Sequence, residues 1–339
     1  MRHHAPLLHF PTTTLFVDDS RSFLENLSLQ LDSSLAFRYF DSAHQALDYL
    51  NDDARLSTSL EAVFAEQEDQ DEWPQSKLAV DLKLDHILRE AQNLDRFERV
   101  SVVVVDFDMP EMDGLELCRR IADPAIKKIL LTGKADEKVA VRAFNQGLID
   151  RFILKQDIQA IPELNQAIAE LQQAYFEQLT QTVREAVPAK SYRFLRDPAF
   201  AAELEKICAQ LGAVERYLHA APAGYLLRDG QGKEYLLLVK TDEELQSHRE
   251  IAEDLGAPEE LLAHLRGKQF VPYFATENGE YQPGGAHWQS CLLPAATIAG
   301  RELWHYAIAF ETSALPIKGR GAYHAFLDRL DQQQRDHRF

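Results

Sequence analysis

Four consecutive valines, Val102 to Val105, constrain this chain more than any other feature. A half-buried strand alternates apolar and polar side chains, so an unbroken apolar run reads as a strand covered on both faces. Such a strand belongs in the middle of a parallel sheet sandwiched between helices. Asp106 follows the run, and Phe107-Asp108-Met109-Pro110-Glu111-Met112-Asp113-Gly114 makes a turn after it. Open α/β sheets bind their ligands in the crevice outside the carboxyl ends of their strands, which makes Asp106 a candidate functional carboxylate.

Three further apolar runs end in the same way. Thr14-Leu15-Phe16-Val17 ends in Asp18 and Asp19, ahead of a helical pattern of Phe23, Leu24, Leu27 and Leu31. Ile129-Leu130-Leu131 ends in Thr132 and Gly133, and Phe152-Ile153-Leu154 ends in Lys155. Three carboxylates on one sheet edge repel one another unless a divalent cation sits among them, and their hard oxygens suit Mg²⁺. Taken singly, these residues have plainer readings. An Asp-Asp pair after a strand is more often a helix N-cap and its neighbour, and a lysine there is usually just solvated. Their conjunction with the Met109-Pro110-Glu111-Met112-Asp113-Gly114 turn carries the functional reading. Gly114 itself is read as admitting a backbone angle that a side chain would penalise.

Two acids, a lone acid, a hydroxyl and a lysine, in that order at strand ends, resemble the receiver domain of two-component response regulators. The resemblance implies that Asp106 accepts a phosphoryl group from a sensor histidine kinase or phosphotransfer protein. It implies that Asp18, Asp19, Asp106 and the backbone carbonyl of Asp108 hold Mg²⁺. Lys155 would neutralise charge on the transferring group. Thr132 would hydrogen-bond the phosphoryl once attached, and Phe152 would be the aromatic that moves in response, a tyrosine in many receivers. The only catalysis this implies is the receiver's own phosphorylation and dephosphorylation. A rival reading compares Asp106-Phe107-Asp108 with the nucleophile motif of haloacid-dehalogenase-type phosphatases. Those need threonine or valine where Pro110 stands, and they lack a pair like Asp18-Asp19.

Length and charge bound the rest. The chain has 339 residues, enough for two or three domains. Cys118, Cys208 and Cys291 form no metal-ligand spacing and no even disulfide set, which suits a reducing cytoplasm. No signal peptide and no run of membrane-spanning length is expected. The formal charge is −18, and residues 1–187 hold 33 acidic against 19 basic residues, while residues 188–339 hold 21 against 17. Without a basic stripe, binding to nucleic acid is not expected.

Eighty-seven positions separate Asp19 from Asp106, roughly twice the separation expected of a receiver, so a segment is inserted at about 52–97. It follows a strand at Ala36–Phe40 and a helix over 42–50. It carries the helical patterns Leu60-Val63-Phe64 and Leu84-Ile87-Leu88-Ala91-Leu94, around an acidic run over 66–72. The second stripe is read as covering the receiver or as an interface to a kinase or second copy. Ile161, Leu164, Ile168, Leu171, Tyr175 and Leu179 advance by threes and fours, giving a linker helix over 158–187 that either pairs in a homodimer or packs on the C-terminal domain.

In the second half, Asp197-Pro198 caps a helix that stops at Gly212. Hairpins are expected about Asp229-Gly230-Gln231-Gly232 and Asn278-Gly279, the latter joining Phe270–Thr276 to Glu280-Tyr281. Helices follow over 242–255, with Asp242 as cap, and 258–266, then strands near 290–293 and 303–310. His248, His264, His287 and His305 lack metal-ligand spacing and are read as surface or core-edge residues. Trp288 and Trp304 are read as core anchors, and Lys318-Gly319-Arg320-Gly321 as a flexible basic tip. Length, displaced acceptor and a second half that does not bind DNA also resemble response regulators of the α-hydroxyketone quorum-sensing type. The expected architecture is a flavodoxin-like, doubly wound, five-stranded parallel sheet over 12–157, the linker helix, and an α+β output domain with an antiparallel sheet over 188–339. That output domain is read as an interaction or sensing module, with an enzyme on a nucleotide or small molecule as the alternative.

Overall fold

The computed structural model describes residues 4–52, 86–133, 137–181, 184, 192–274, 276, 279–284, 287–310 and 321–336. It divides into two compact units that depart from the consecutive stretches expected above. Among the described residues, the first unit draws on Phe10–Glu72, Leu94–Thr182 and Tyr323–Phe339, and the second on Met1–His9, Trp73–Asn93 and Val183–Ala322.

After a two-residue strand β1 (Leu8–His9), the chain builds the first unit from β2 (Thr13–Val17), α1 (Arg21–Ser28), β3 (Phe37–Phe40) and α2 (Ala43–Leu50). Beyond the insertion come β4 (Val100–Asp106), α3 (Gly114–Arg120), β5 (Lys127–Thr132), α4 (Glu137–Asn145), β6 (Arg151–Leu154) and α5 (Ala160–Leu179). Their sheet is wholly parallel in the order β3-β2-β4-β5-β6, the flavodoxin-like arrangement expected. The valine run behaves as its composition demands. Val103 and Val105 pack with α2, α3 and α4 on one face, Val102 and Val104 pack with α1 and α5 on the other, and all four are fully buried. Side-chain caps start the helices, with Ser20, Ser42 and Asp113 accepting from the backbone N–H of Phe23, Gln45 and Glu116.

Helix α5 does not leave this unit within its length. Leu164, Ala167, Ile168 and Leu171 cover the sheet, and Tyr175, Phe176 and Leu179 are also buried, with Phe176 edge-on to Phe10 at 4.8 Å. From Leu164 to Leu171 the stripe packs on the first unit's own sheet, and the helix ends at Thr180, whose hydroxyl donates to the Phe176 carbonyl at 2.7 Å.

The second unit holds α6 (Pro198–Leu211), β7 (Ala213–His219), β8 (Gly224–Asp229), β9 (Glu234–Thr241), α7 (Asp242–Asp254) and α8 (Glu259–Gly267). Strands β10 (Phe270–Pro272), β11 (Leu292–Pro294), β12 (Ala296–Ala299) and β13 (Leu303–Phe310) complete it. Six strands pair antiparallel in the order β1-β7-β8-β9-β13-β12, with β10 and β11 forming a separate pair. β1 explains why residues 4–9 belong here, since Leu8 pairs with Tyr217 and the Leu218 N–H donates to the Leu7 carbonyl at 2.8 Å. The Asp229-Gly230-Gln231-Gly232 hairpin forms as expected. Asn278 of the second expected hairpin lies outside the described residues; Glu280 and Tyr281 form no strand, and β10 pairs with β11. Thr241, not Asp242, caps α7, in a reciprocal capping box with Glu244.

Two pieces change owner relative to the sequence expectation. Of the insertion, Leu60-Val63-Phe64 and the acidic run lie outside the described residues. Residues 86–90 are helical, and they join the second unit, where Ile87 and Ala91 are fully buried and the Ala91 carbonyl accepts from the buried Arg228 guanidinium. Leu94 is exposed, so the stripe ends at Ala91. Conversely α9 (Tyr323–Asp336), the last helix, joins the first unit. The Tyr323 hydroxyl donates to the Ser34 carbonyl at 2.5 Å and accepts from the Ala36 N–H at 3.0 Å, while Gln334 donates to the Phe37 carbonyl. These bonds cover the edge strand β3, and Phe326 and Leu330 bury the helix's apolar side.

Candidate functional site

The parallel sheet delivers five sequence-selected residues to its carboxyl edge. β4 ends at Asp106, β2 is followed by Asp18 and Asp19, β5 ends at Thr132, and Lys155 follows β6. Carboxylate oxygens of Asp18, Asp19 and Asp106 lie within 4.8 Å of one another. Asp18 and Asp106 are buried and Asp19 is exposed, so the cluster opens to solvent on one side. The Lys155 ammonium joins the two buried acids, at 2.7 Å from Asp18 Oδ2 and 2.8 Å from Asp106 Oδ1. Backbone bonds fix these ends. The Lys155 N–H donates to the Thr132 carbonyl at 3.0 Å, the Phe107 N–H to the Leu131 carbonyl at 2.9 Å, and the Ser20 N–H to Asp18 Oδ1 at 2.9 Å.

Electrostatics set these groups apart from ordinary surface charges. Burial pushes the Asp106 carboxyl above the usual carboxylate range, and the neighbouring charge of Asp18 adds to this against the pull of Lys155. For Lys155, burial alone would lower the ammonium, but hydrogen bonds to Asp106 and Asp18 outweigh it and raise it. The donor set is oxygen only and carries more negative charge than one ammonium cancels, which fits a hard divalent cation such as Mg²⁺. Lys155 stands as a monovalent partner to two of the three acids.

The turn after Asp106 is anchored by its methionines, since Met109 and Met112 are both buried in the core on the α2–α3–α4 face. Asp108 is exposed, and its carboxylate is not among the three clustered acids. Gly114 is explained differently from the sequence reading. Its backbone needs no left-handed angle; a Cβ there would lie 2.2 Å from the Asp106 carbonyl oxygen, so the close approach of α3 to the strand end demands glycine. Thr132 is fully buried, with its hydroxyl donating to the Gly133 carbonyl at 3.2 Å. Phe152 is half-buried and meets Phe144 edge-on at 6.4 Å. Sequence reasoning missed one participant. The ring of Phe23, read only as a helix-face apolar residue, lies with its centroid 4.5 Å from the Lys155 ammonium.

The second unit gathers no comparable acid cluster among the described residues. His305 donates or accepts through Nε2 at 2.9 Å from Asp242, and His264 packs its ring on Phe270 and Trp288. A cleft of about 230 Å³ in this unit is lined by Arg193, Phe194, Val239, Thr241, Glu243 and Trp304, among others.

Comparison with known proteins agrees with this geometry. A family model described as the response regulator receiver domain matches residues 79–184, which contain Asp106, Thr132 and Lys155 but not Asp18-Asp19. The solved structure of the response regulator LqsR from Legionella pneumophila is 35% identical, with 98% of each chain covered and a TM-score of 0.79. An uncharacterized response regulatory protein of Vibrio cholerae is 27% identical over 195 residues, which is 50% of this chain and 72% of that protein.

Proposed function

This chain belongs to the response regulators, with a receiver domain of the two-component type, and from that premise we propose that it takes a phosphoryl group onto Asp106 and uses it to switch its second unit. The observation that carries the proposal is the convergence of Asp18, Asp19 and Lys155 on Asp106. A carboxylate oxygen of Asp106 attacks the phosphorus of a phosphohistidine on a sensor kinase or phosphotransfer protein. The P–N bond breaks, and the imidazole leaves with the electron pair and takes up a proton. Lys155 keeps a positive charge where negative charge grows on the phosphoryl oxygens.

Asp18, Asp19 and Asp106, with the Asp108 backbone carbonyl, would hold Mg²⁺, which when bound screens the phosphoryl group from the acids around it. Thr132 would turn its hydroxyl from the Gly133 carbonyl to a phosphoryl oxygen, and Phe152, half-buried at the margin of the core, would follow into the space released. The reading places the protein in the cytoplasm; no helix among the described residues is long and apolar enough to cross a membrane. The second unit would act as a ligand-sensing or interaction module, for which the cleft beside Trp304 offers a small-molecule site. The layout resembling α-hydroxyketone quorum-sensing regulators supports a role in that kind of signalling, with homodimerisation on phosphorylation as one route of output.

Incubation with acetyl phosphate and Mg²⁺ tests the assignment. One phosphoryl group per chain is expected by intact mass, and none in Asp106→Asn or when the metal is chelated. Labelling of the variant equal to that of the parent would contradict it.

A further inference from the structure

Among the described residues, Lys155 meets two charged partners and one aromatic ring. Asp18 and Asp106 each take a hydrogen bond from its ammonium, while the face of Phe23 stands 4.5 Å away as the third. The two kinds of partner differ in what they leave behind. A carboxylate holds the ammonium by cancelling its charge, whereas an aromatic ring attracts a cation through its quadrupole and leaves the full charge in place. Both carboxylates are also in the three-acid cluster, so a divalent cation there competes for them. Such a cation does not draw the ring away.

Resting on the reading of Asp106 as phosphoacceptor, we propose that Phe23 is a positioning residue for phosphoryl transfer. Its ring keeps the Lys155 ammonium beside Asp106 after the carboxylates turn to the metal, with the charge free for the incoming phosphoryl oxygens. Local structure supports the placement. Phe23 sits in the first turn of α1, its own N–H is tied to the Ser20 cap at 3.3 Å, and Ser20 in turn binds Asp18, so ring and acid are set by one turn of chain. The ring also packs against the core between α1, α5 and the sheet, which limits its rotation. Lys155 is about a quarter exposed, and the ring occupies one of its flanks.

The test uses the full chain as Phe23→Leu and Phe23→Tyr, since leucine retains apolar packing and tyrosine retains the ring. Two readouts separate positioning from packing: the upfield ring-current shift of the Lys155 ε-protons, and the phosphorylation rate at saturating acetyl phosphate and Mg²⁺ beside the Mg²⁺ affinity. Phe23→Leu should lose the shift and slow the saturated rate by about tenfold, the scale of a partly desolvated cation–π contact, with Mg²⁺ affinity retained. Phe23→Tyr should restore both. An unchanged rate in Phe23→Leu, or a loss matched by weaker Mg²⁺ binding and not rescued by tyrosine, would overturn the role. Failure of the parent protein to label at all would instead overturn the reading of Asp106, and the proposal with it.

Discussion

Asp106 in the first unit and Asp197 in the second are both buried carboxylates at the edge of a sheet domain, yet their surroundings drive them in opposite directions. For Asp197, burial alone would raise the carboxyl, but hydrogen bonds from Trp304 Nε1 at 2.8 Å and from the backbone N–H of Arg301 and Ala199 hold it below the usual range. Asp106 is raised by burial and by Asp18, with Lys155 as its opposing partner. A carboxylate whose acceptor sites are filled by fixed donors is a structural part. One crowded by other acids, as Asp106 is, suits the cation and the chemical change proposed for it. The comparison teaches that satisfaction of the group, more than burial, separates the two roles.

Substitution by asparagine should split the two. In Asp197→Asn the new amide meets either Trp304 Nε1 and the Arg301 N–H or the Ala199 N–H, donor against donor, and a destabilisation of about 3 kcal/mol is expected in urea unfolding, with labelling of Asp106 retained. In Asp106→Asn the unfolding free energy should stay within about 1 kcal/mol of the parent while labelling disappears. A folded Asp197→Asn protein of parental stability would break the contrast.

pH sharpens it. Because the Asp197 pKa is lower in the folded state, the stability it lends is present above the unfolded aspartate value of about 3.9 and is lost as pH falls through the folded value. The Asp106 shift has the opposite sign, so the folded state disfavours its charged form, and its ionisation lowers stability as pH rises from the unfolded value to the folded one. The gap between parent and Asp197→Asn should therefore narrow in acid, while Asp106→Asn should gain on the parent as pH rises from acid to neutral. Parallel pH curves for parent and Asp197→Asn would count against the account.

Smaller effects test how each unit is held. Gly114→Ala places a methyl against the Asp106 carbonyl, and the strain should cost about 2 kcal/mol and slow labelling together. Tyr323→Phe removes the hydroxyl that serves both Ser34 and Ala36, and about 1 kcal/mol should be lost in the first unit's unfolding. No change there would mean that α9 adds only apolar cover to β3.

The sequence showed the parallel sheet plainly, because the strands that carry the site, β2, β4, β5 and β6, are short runs with an apolar centre and polar residues toward their ends. The same property exposed Asp18, Asp19, Asp106, Thr132 and Lys155, since order along the chain is order along the sheet edge. Phe23 was hidden because an aromatic on an amphipathic helix satisfies the core pattern whether or not a lysine reaches its face. Ownership of segments was hidden for a related reason. β1 and residues 86–93 are short, and what they and α9 pack on lies far away in sequence. β7 escaped because Glu215 and Arg216 interrupt its apolar pattern, although both are buried; Glu215 accepts from Tyr217 and Arg216 pairs with Glu205. Gly114 was selected correctly, but the proximity of the Asp106 carbonyl could not be foreseen from the turn alone.

The most direct test of the central claim is to phosphorylate the full-length protein, reduce the acyl phosphate with borohydride, and locate the modified residue by peptide mass spectrometry. Conversion to homoserine at position 106 alone is the predicted result. Conversion at Asp18, Asp19 or Asp108, with Asp106 intact, would contradict it.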